Sequence, residues 1–82
     1  MLVAVVEFHK SKNGDVEFKG LKGYKYEEAA RFSLEQSARA YSEMHPYGVV
    51  INNGNDVSVT DDSGMHEWLI EPLSITEMDP EA

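Results

Sequence analysis

Cysteine is absent from this chain of 82 residues, which excludes disulfide cross-links, thiol chemistry and zinc–thiolate sites. Long hydrophobic runs are absent too. The longest, residues 1–6, is too short to span a membrane and has no basic leader. We therefore expect a soluble cytoplasmic protein without a membrane partner.

The second half of the chain lacks basic residues. All seven Lys and Arg residues lie at or before Arg39, whereas residues 42–82 hold nine acidic residues and a formal charge of −9. The whole chain carries −8. Such a charge opposes direct binding to nucleic acid or anionic lipid and favours a basic partner.

Catalytic signatures are also missing. The chain has no nucleophile elbow, no glycine-rich phosphate loop and no zinc-protease motif. Asp56 and Glu67 have the first-to-twelfth spacing of a calcium loop, but Asp61 occupies the position that requires glycine. Asp61, Asp62 and His66 could hold a metal only weakly, because they lack a recognised ligand spacing, and His9 and His45 are scattered along the chain. We predict a non-enzyme with no cofactor and no metal site.

Hydrophobic periodicity predicts the order β-β-α-β-β-β. Residues 2–9 alternate between two faces, and a turn at 11–15 leads to a second strand at 16–19. Residues 20–23 are predicted to be a flexible connection, and residues 26–44 a helix that Pro46 ends. The predicted buried stripe of the helix is Ala30, Leu34, Ser37, Tyr41 and Met44.

Three short strands follow the helix. A three-residue loop at 53–55 would pair Val49 with Val59 and Ile51 with Val57, and we prefer this register because it buries two apolar residues. A two-residue Asn-Gly turn would pair Val50 with Val57 instead. The next turn, at 61–64, sets Val57 opposite Trp68 and Val59 opposite His66.

The simplest architecture is an α+β fold in which one helix packs on a mainly antiparallel sheet. We expect residues 1–82 to form a single domain, with residues 72–82 as a partly mobile acidic tail.

An acidic patch is the main candidate for a partner-binding site. Alternation along the last two strands directs carboxylates away from the helix, with nothing basic nearby in the second half to neutralise them. The residues predicted to meet a basic partner are Asp56, Asp61, Asp62, Glu67 and Glu71. The alternative is that this charge only keeps the protein soluble.

Phe32 is the second candidate. It projects from the helix opposite the buried stripe, among charged residues. It is predicted to bind a partner or to mediate self-association as a homodimer, unless the C-terminal tail covers it.

The small size, the order of elements, the acidic charge and the absence of cysteine resemble phage-encoded inhibitors of bacterial defence, in particular the anti-CRISPR proteins. The resemblance covers the whole chain and implies a non-enzymatic inhibitor that blocks a nucleic-acid-binding surface or mimics nucleic acid. Residues 14–43, GDVEFKGLKGYKYEEAARFSLEQSARAYSE, are similar in layout to HicB-type antitoxins, although residues 21–24 replace that family's Pro-Gly loop. A phage structural or assembly protein is the remaining alternative.

Overall fold

The computed structural model describes residues 2–73 and confirms the α+β class and the order β-β-α-β-β-β. The elements are β1 (Leu2–Ser11), β2 (Val16–Tyr24), α1 (Glu27–Met44), β3 (Val49–Asn52), β4 (Asp56–Asp61) and β5 (Gly64–Leu73). The strands form one antiparallel sheet in the order β2-β1-β5-β4-β3. β5 is therefore the central strand, and β2 and β3 are the two edges.

The first hairpin turns where the sequence predicts, but β2 is longer than expected. Residues 20–23, predicted to be a flexible connection, belong to the strand because ten-residue β1 supplies pairing partners along their length. The register changes between Glu7, which pairs with Gly20, and Phe8, which pairs with Phe18. Lys19 is thus the extra residue of a β-bulge.

Helix α1 ends at Met44, before the proline, as predicted. Its buried residues follow four-residue steps, Ala30, Leu34 and Ala38, with Tyr41 partly buried beyond them. The prediction was wrong for Ser37 and Met44, because this line of contact leaves both in solvent.

The core lies between α1 and one face of the sheet. Val57 pairs with Trp68 and Val59 with His66, which confirms the predicted register of β4 and β5. Trp68 is 1% exposed, and its indole Nε1 has no hydrogen-bond partner among the described residues. The buried side chains that form this core are Val3, Val5, Ala30, Leu34, Ala38, Val57, Val59 and Trp68.

The register of β3 differs from both options considered above. The Asn53 N–H donates to the Asp56 carbonyl, so the loop closes one residue further along and Val50 pairs with Val59. Val50 therefore faces the helix side, while Val49 and Ile51 face the other side and are largely exposed. The prediction that Val49 and Ile51 are buried was wrong.

Two further findings concern the end of β5 and the character of the helix. Pro72 and Leu73 extend β5, whereas the rest of the predicted mobile tail, residues 74–82, lies outside the described residues. Within residues 2–73, no helix has the length and apolar character that crossing a membrane requires.

Candidate functional site

The sheet surface turned away from α1, called here the outer face, carries part of the predicted acidic patch. Since Val57 and Trp68 face the helix, their neighbours Asp56 and Glu67 point the opposite way, and Glu71 follows on the same side. We call these three residues, Asp56, Glu67 and Glu71, the acidic face.

Asp56 and Glu67 interact directly within the acidic face. They lie on adjacent strands as diagonal neighbours. Asp56 is opposite Leu69, and Glu67 is opposite Ser58. A side-chain hydrogen bond with Asp56 raises the pKa of Glu67 to about 7, and partial burial and the negative charge of Asp56 contribute to the shift. Glu67 is therefore only partly ionised at neutral pH, and the acidic face carries less charge there than its sequence implies.

The other two predicted acids lie apart from this face. Asp61 ends β4 on the helix side, and its Oδ1 accepts hydrogen bonds from the Ser63 backbone N–H at 2.8 Å and the Ser63 hydroxyl at 2.7 Å. These bonds lower the pKa of the Asp61 carboxyl and favour its ionised form. Asp62 is exposed in the turn between β4 and β5. The five acids thus form two separate groups rather than one surface.

Apolar side chains accompany the carboxylates on the outer face. Phe8 lies on β1 directly between Phe18 of β2 and Glu67 of β5. In the next such row, Val6 lies between Leu21 and Leu69. Phe18 and Leu21 are more than half exposed, so the outer face offers apolar contacts beside its charge.

Phe32 projects from α1 and is 64% exposed, as expected for a residue opposite the buried stripe. Because the helix covers the inner face of the sheet, Phe32 and the acidic face point to opposite sides of the domain. A single flat partner surface cannot contact both.

A cluster of all three histidines lies on the helix side of the sheet, and the sequence reasoning missed it. Tyr41 stacks on His45, with ring centroids 4.0 Å apart, and on His66, at 4.4 Å. His66 also lies 5.3 Å from His9 between ring centroids. The pairing of β1 with β5 brings His9 opposite His66, and this long-range pairing is not visible in the sequence.

Gly64 allows β5 to approach β1 closely at the point where β5 begins. Gly64 has φ +127°, and a Cβ there would come within 2.1 Å of the Lys10 carbonyl oxygen. Only glycine tolerates both conditions. It allows β5 to begin against β1, two residues before His66.

Hydrogen bonds link two rings of the cluster, His9 and His66, to their neighbours. His66 Nε2 lies 2.6 Å from the Glu7 carboxylate, and His9 Nε2 lies 3.2 Å from the Ser63 carbonyl oxygen. Both acceptors require an N–H. The remaining contact joins the two Nδ1 atoms, 3.2 Å apart, so the two rings are linked directly to each other.

The ring at the centre of the cluster is shielded from solvent. His66 is 5% exposed. Burial and the charge of Asp61 raise the pKa of the Tyr41 hydroxyl, which favours its neutral form. Among the described residues, no group of three or more metal-ligating side chains is arranged to hold an ion.

Comparison with known proteins adds no relative. No protein family, curated protein or solved structure matches the chain.

Proposed function

We propose that this chain is a non-catalytic binding protein that inhibits a basic, nucleic-acid-binding protein by occupying its positively charged surface. The observation that carries the proposal is the acidic face. Asp56, Glu67 and Glu71 project from the outer face of the sheet, in the half of the chain that contains no Lys or Arg.

The position of these carboxylates supports a binding role. Glu67 and Glu71 belong to the central strand, where Glu67 is paired with both β1 and β4 and Glu71 with β1, so their backbone is held in place. A rigid array loses little conformational entropy when a partner binds. Its negative field accelerates the encounter with a basic surface.

The apolar side chains beside the acidic face contribute affinity, which charge alone does not provide. Complementary charge increases the association rate more than the affinity, whereas buried apolar anchors slow dissociation. Phe18 and Leu21 are exposed on the same face, and Phe8 connects Phe18 with Glu67 across the sheet. We therefore assign Phe18 and Leu21 as the anchors beside the acidic face.

The resemblance to anti-CRISPR proteins agrees with this proposal in size, element order and charge. The histidine cluster does not lead us to propose catalysis, since His66 is buried and the Nε2 atom of His9 contacts a backbone carbonyl oxygen.

Capture of the partner from a lysate of the encoding organism provides the test. The bound protein is identified by mass spectrometry, and its capture is repeated with the triple variant Asp56→Asn, Glu67→Gln, Glu71→Gln. We expect the wild type to retain a basic protein, added nucleic acid to compete with it, and the triple variant to lose it.

The matched control removes the same charge elsewhere. The triple variant Glu17→Gln, Glu28→Gln, Glu35→Gln changes three exposed acids in the first half of the chain. It should retain the partner. Equal retention by both triple variants, or capture that nucleic acid does not affect, would contradict the proposal.

A further inference from the structure

The two edges of the sheet differ in how well they are protected against pairing with another strand. β2 carries Glu17, Lys19 and Lys22, and its bulge at Lys19 interrupts the regular edge. Charged side chains and bulges are the usual means by which proteins prevent edge pairing. β3, with the sequence Val-Val-Ile-Asn, has neither.

The segment around β3 is uncharged, and its large apolar side chains are exposed. Residues 44–55 contain no Asp, Glu, Lys or Arg, in a chain of which 27% is charged. Val49, Val50 and Ile51 are 61%, 48% and 51% exposed. With Met44 and Tyr47, they make up five of the ten exposed large hydrophobic residues among residues 2–73. Exposed apolar surface concentrated in this way is typical of an interface.

The pattern of the β3–β4 ladder shows which backbone N–H and C=O groups of β3 point away from β4. Asn53 is hydrogen-bonded to Asp56 across the β3–β4 ladder. Hydrogen-bonded and non-bonded pairs alternate along an antiparallel ladder. Val50, opposite Val59, and Asn52, opposite Val57, are therefore in non-bonded pairs, and their N–H and C=O groups point toward the open edge.

We propose that the β3 edge pairs with β3 of a second copy of this chain, antiparallel about a two-fold axis at Val50. This inference is independent of the acidic face, which lies on β4 and β5. The axis of such a pair runs perpendicular to the sheet, so both helices lie on the same side and the two sheets join into one.

A single register makes the two copies complementary. Val50 lies opposite Val50 of the second copy, and Val49 lies opposite Ile51. The two Val50 residues exchange N–H···O bonds, and each Asn52 N–H reaches the carbonyl of Gly48 in the other copy, giving about four backbone bonds. The pairing residues 48–52 include no charged residue, and the charged residues beside them, Glu35, Arg39 and Glu43, lie on α1.

The second copy is favoured over a basic partner strand because the pairing residues 48–52 carry no carboxylate. On α1 beside them, Glu35 and Glu43 are accompanied by Arg39. A contact of one short strand per copy is small compared with the roughly 1,200 Å² that stable complexes bury. The dimer is therefore reversible and depends on concentration. Because each copy carries −8, added salt strengthens it by screening their repulsion.

Sedimentation equilibrium of the wild type and of Val50→Pro tests the proposal. Proline removes the outward N–H of Val50, which the β4 ladder does not use, and edge strands tolerate it at such positions. We expect the dissociation constant to rise by about tenfold or more. Val50→Thr keeps the N–H and the branched shape and should dimerise like the wild type.

A cross-linking experiment addresses the register even if the proline variant does not fold. The wild type has no cysteine, so Val50→Cys introduces a single thiol opposite its own copy. Opposed residues in such a pair have Cα atoms about 5.5 Å apart, which a disulfide can bridge. Val16→Cys, on the other edge, is the matched control.

Under mild oxidation, Val50→Cys should form a covalent dimer several times faster than Val16→Cys. Equal rates for the two variants would refute the register. A wild type that stays monomeric over about a hundredfold concentration range at high salt would refute the pairing itself. Species larger than a dimer would refute the closed two-fold arrangement.

Discussion

Replacement of Glu67 by glutamine tests the carboxyl pair on the acidic face. The hydrogen bond with Asp56 raises the pKa of Glu67 from 4.5 to about 7. The folded protein therefore holds a proton over a pH range in which the unfolded chain has released it. Stability from this group is fully present below about pH 4.5 and is lost as the pH rises through about 7.

The size of the effect follows from the shift and from the exposure of the side chain. A fully shielded carboxyl with this shift would contribute roughly 3 kcal/mol. Glu67 is partly exposed, and water screens its interaction with Asp56, so we expect roughly 1 kcal/mol. Glutamine remains neutral at every pH, which removes this dependence. Glu67→Gln should match the wild type at about pH 5 and be more stable by roughly 1 kcal/mol at about pH 8.

Urea denaturation at these two pH values measures the difference directly. Comparison of variant and wild type at each pH cancels the titration of all other groups. Glu71→Gln serves as the control, since it removes a carboxylate from the same strand and face but not the partner of Asp56. A difference between Glu67→Gln and the wild type that does not change with pH would refute the raised pKa of Glu67.

Three further substitutions test the core, the histidine cluster and the helix surface. Trp68→Ala should lower the free energy of unfolding by about 3–5 kcal/mol because its ring is buried, and a wild-type urea midpoint would contradict this. His66→Phe keeps the stacking on Tyr41 but removes the hydrogen bonds to Glu7 and His9, and should cost about 2 kcal/mol; unchanged urea unfolding would show that the cluster adds no stability. Phe32→Ser should leave partner capture unchanged because Phe32 faces away from the acidic face, and loss of capture would place the helix in the interface.

Local sequence patterns predicted the parts of the fold that depend on neighbouring residues. The helix end at Met44 followed from the proline two residues later, and the pairing of Val57 with Trp68 followed from the tight turn at 61–64. The register of β3 could not be obtained in this way. It was chosen to bury as many apolar residues as possible, whereas Val49 and Ile51 are exposed.

Long-range pairing explains what the sequence did not reveal about the candidate sites. Alternation placed Glu7 and His9 on one face of β1, but only the contact with β5 brings His66 between them. The predicted acidic patch is divided because the alternation of side chains along a strand does not extend into the turn. Alternation correctly directed Asp56 outward, but it ends at the turn, where Asp62 lies.

The dependence of the association rate on salt tests the central claim most directly. At about pH 8, where Glu67 is ionised, the association rate constant with the captured partner is measured from about 0.05 M to about 0.5 M salt. The wild-type rate should fall steeply, because salt screens the attraction of the acidic face. The triple variant Asp56→Asn, Glu67→Gln, Glu71→Gln should start slower and change much less. Equal rates and equal slopes for the two folded proteins would mean that these carboxylates do not guide binding.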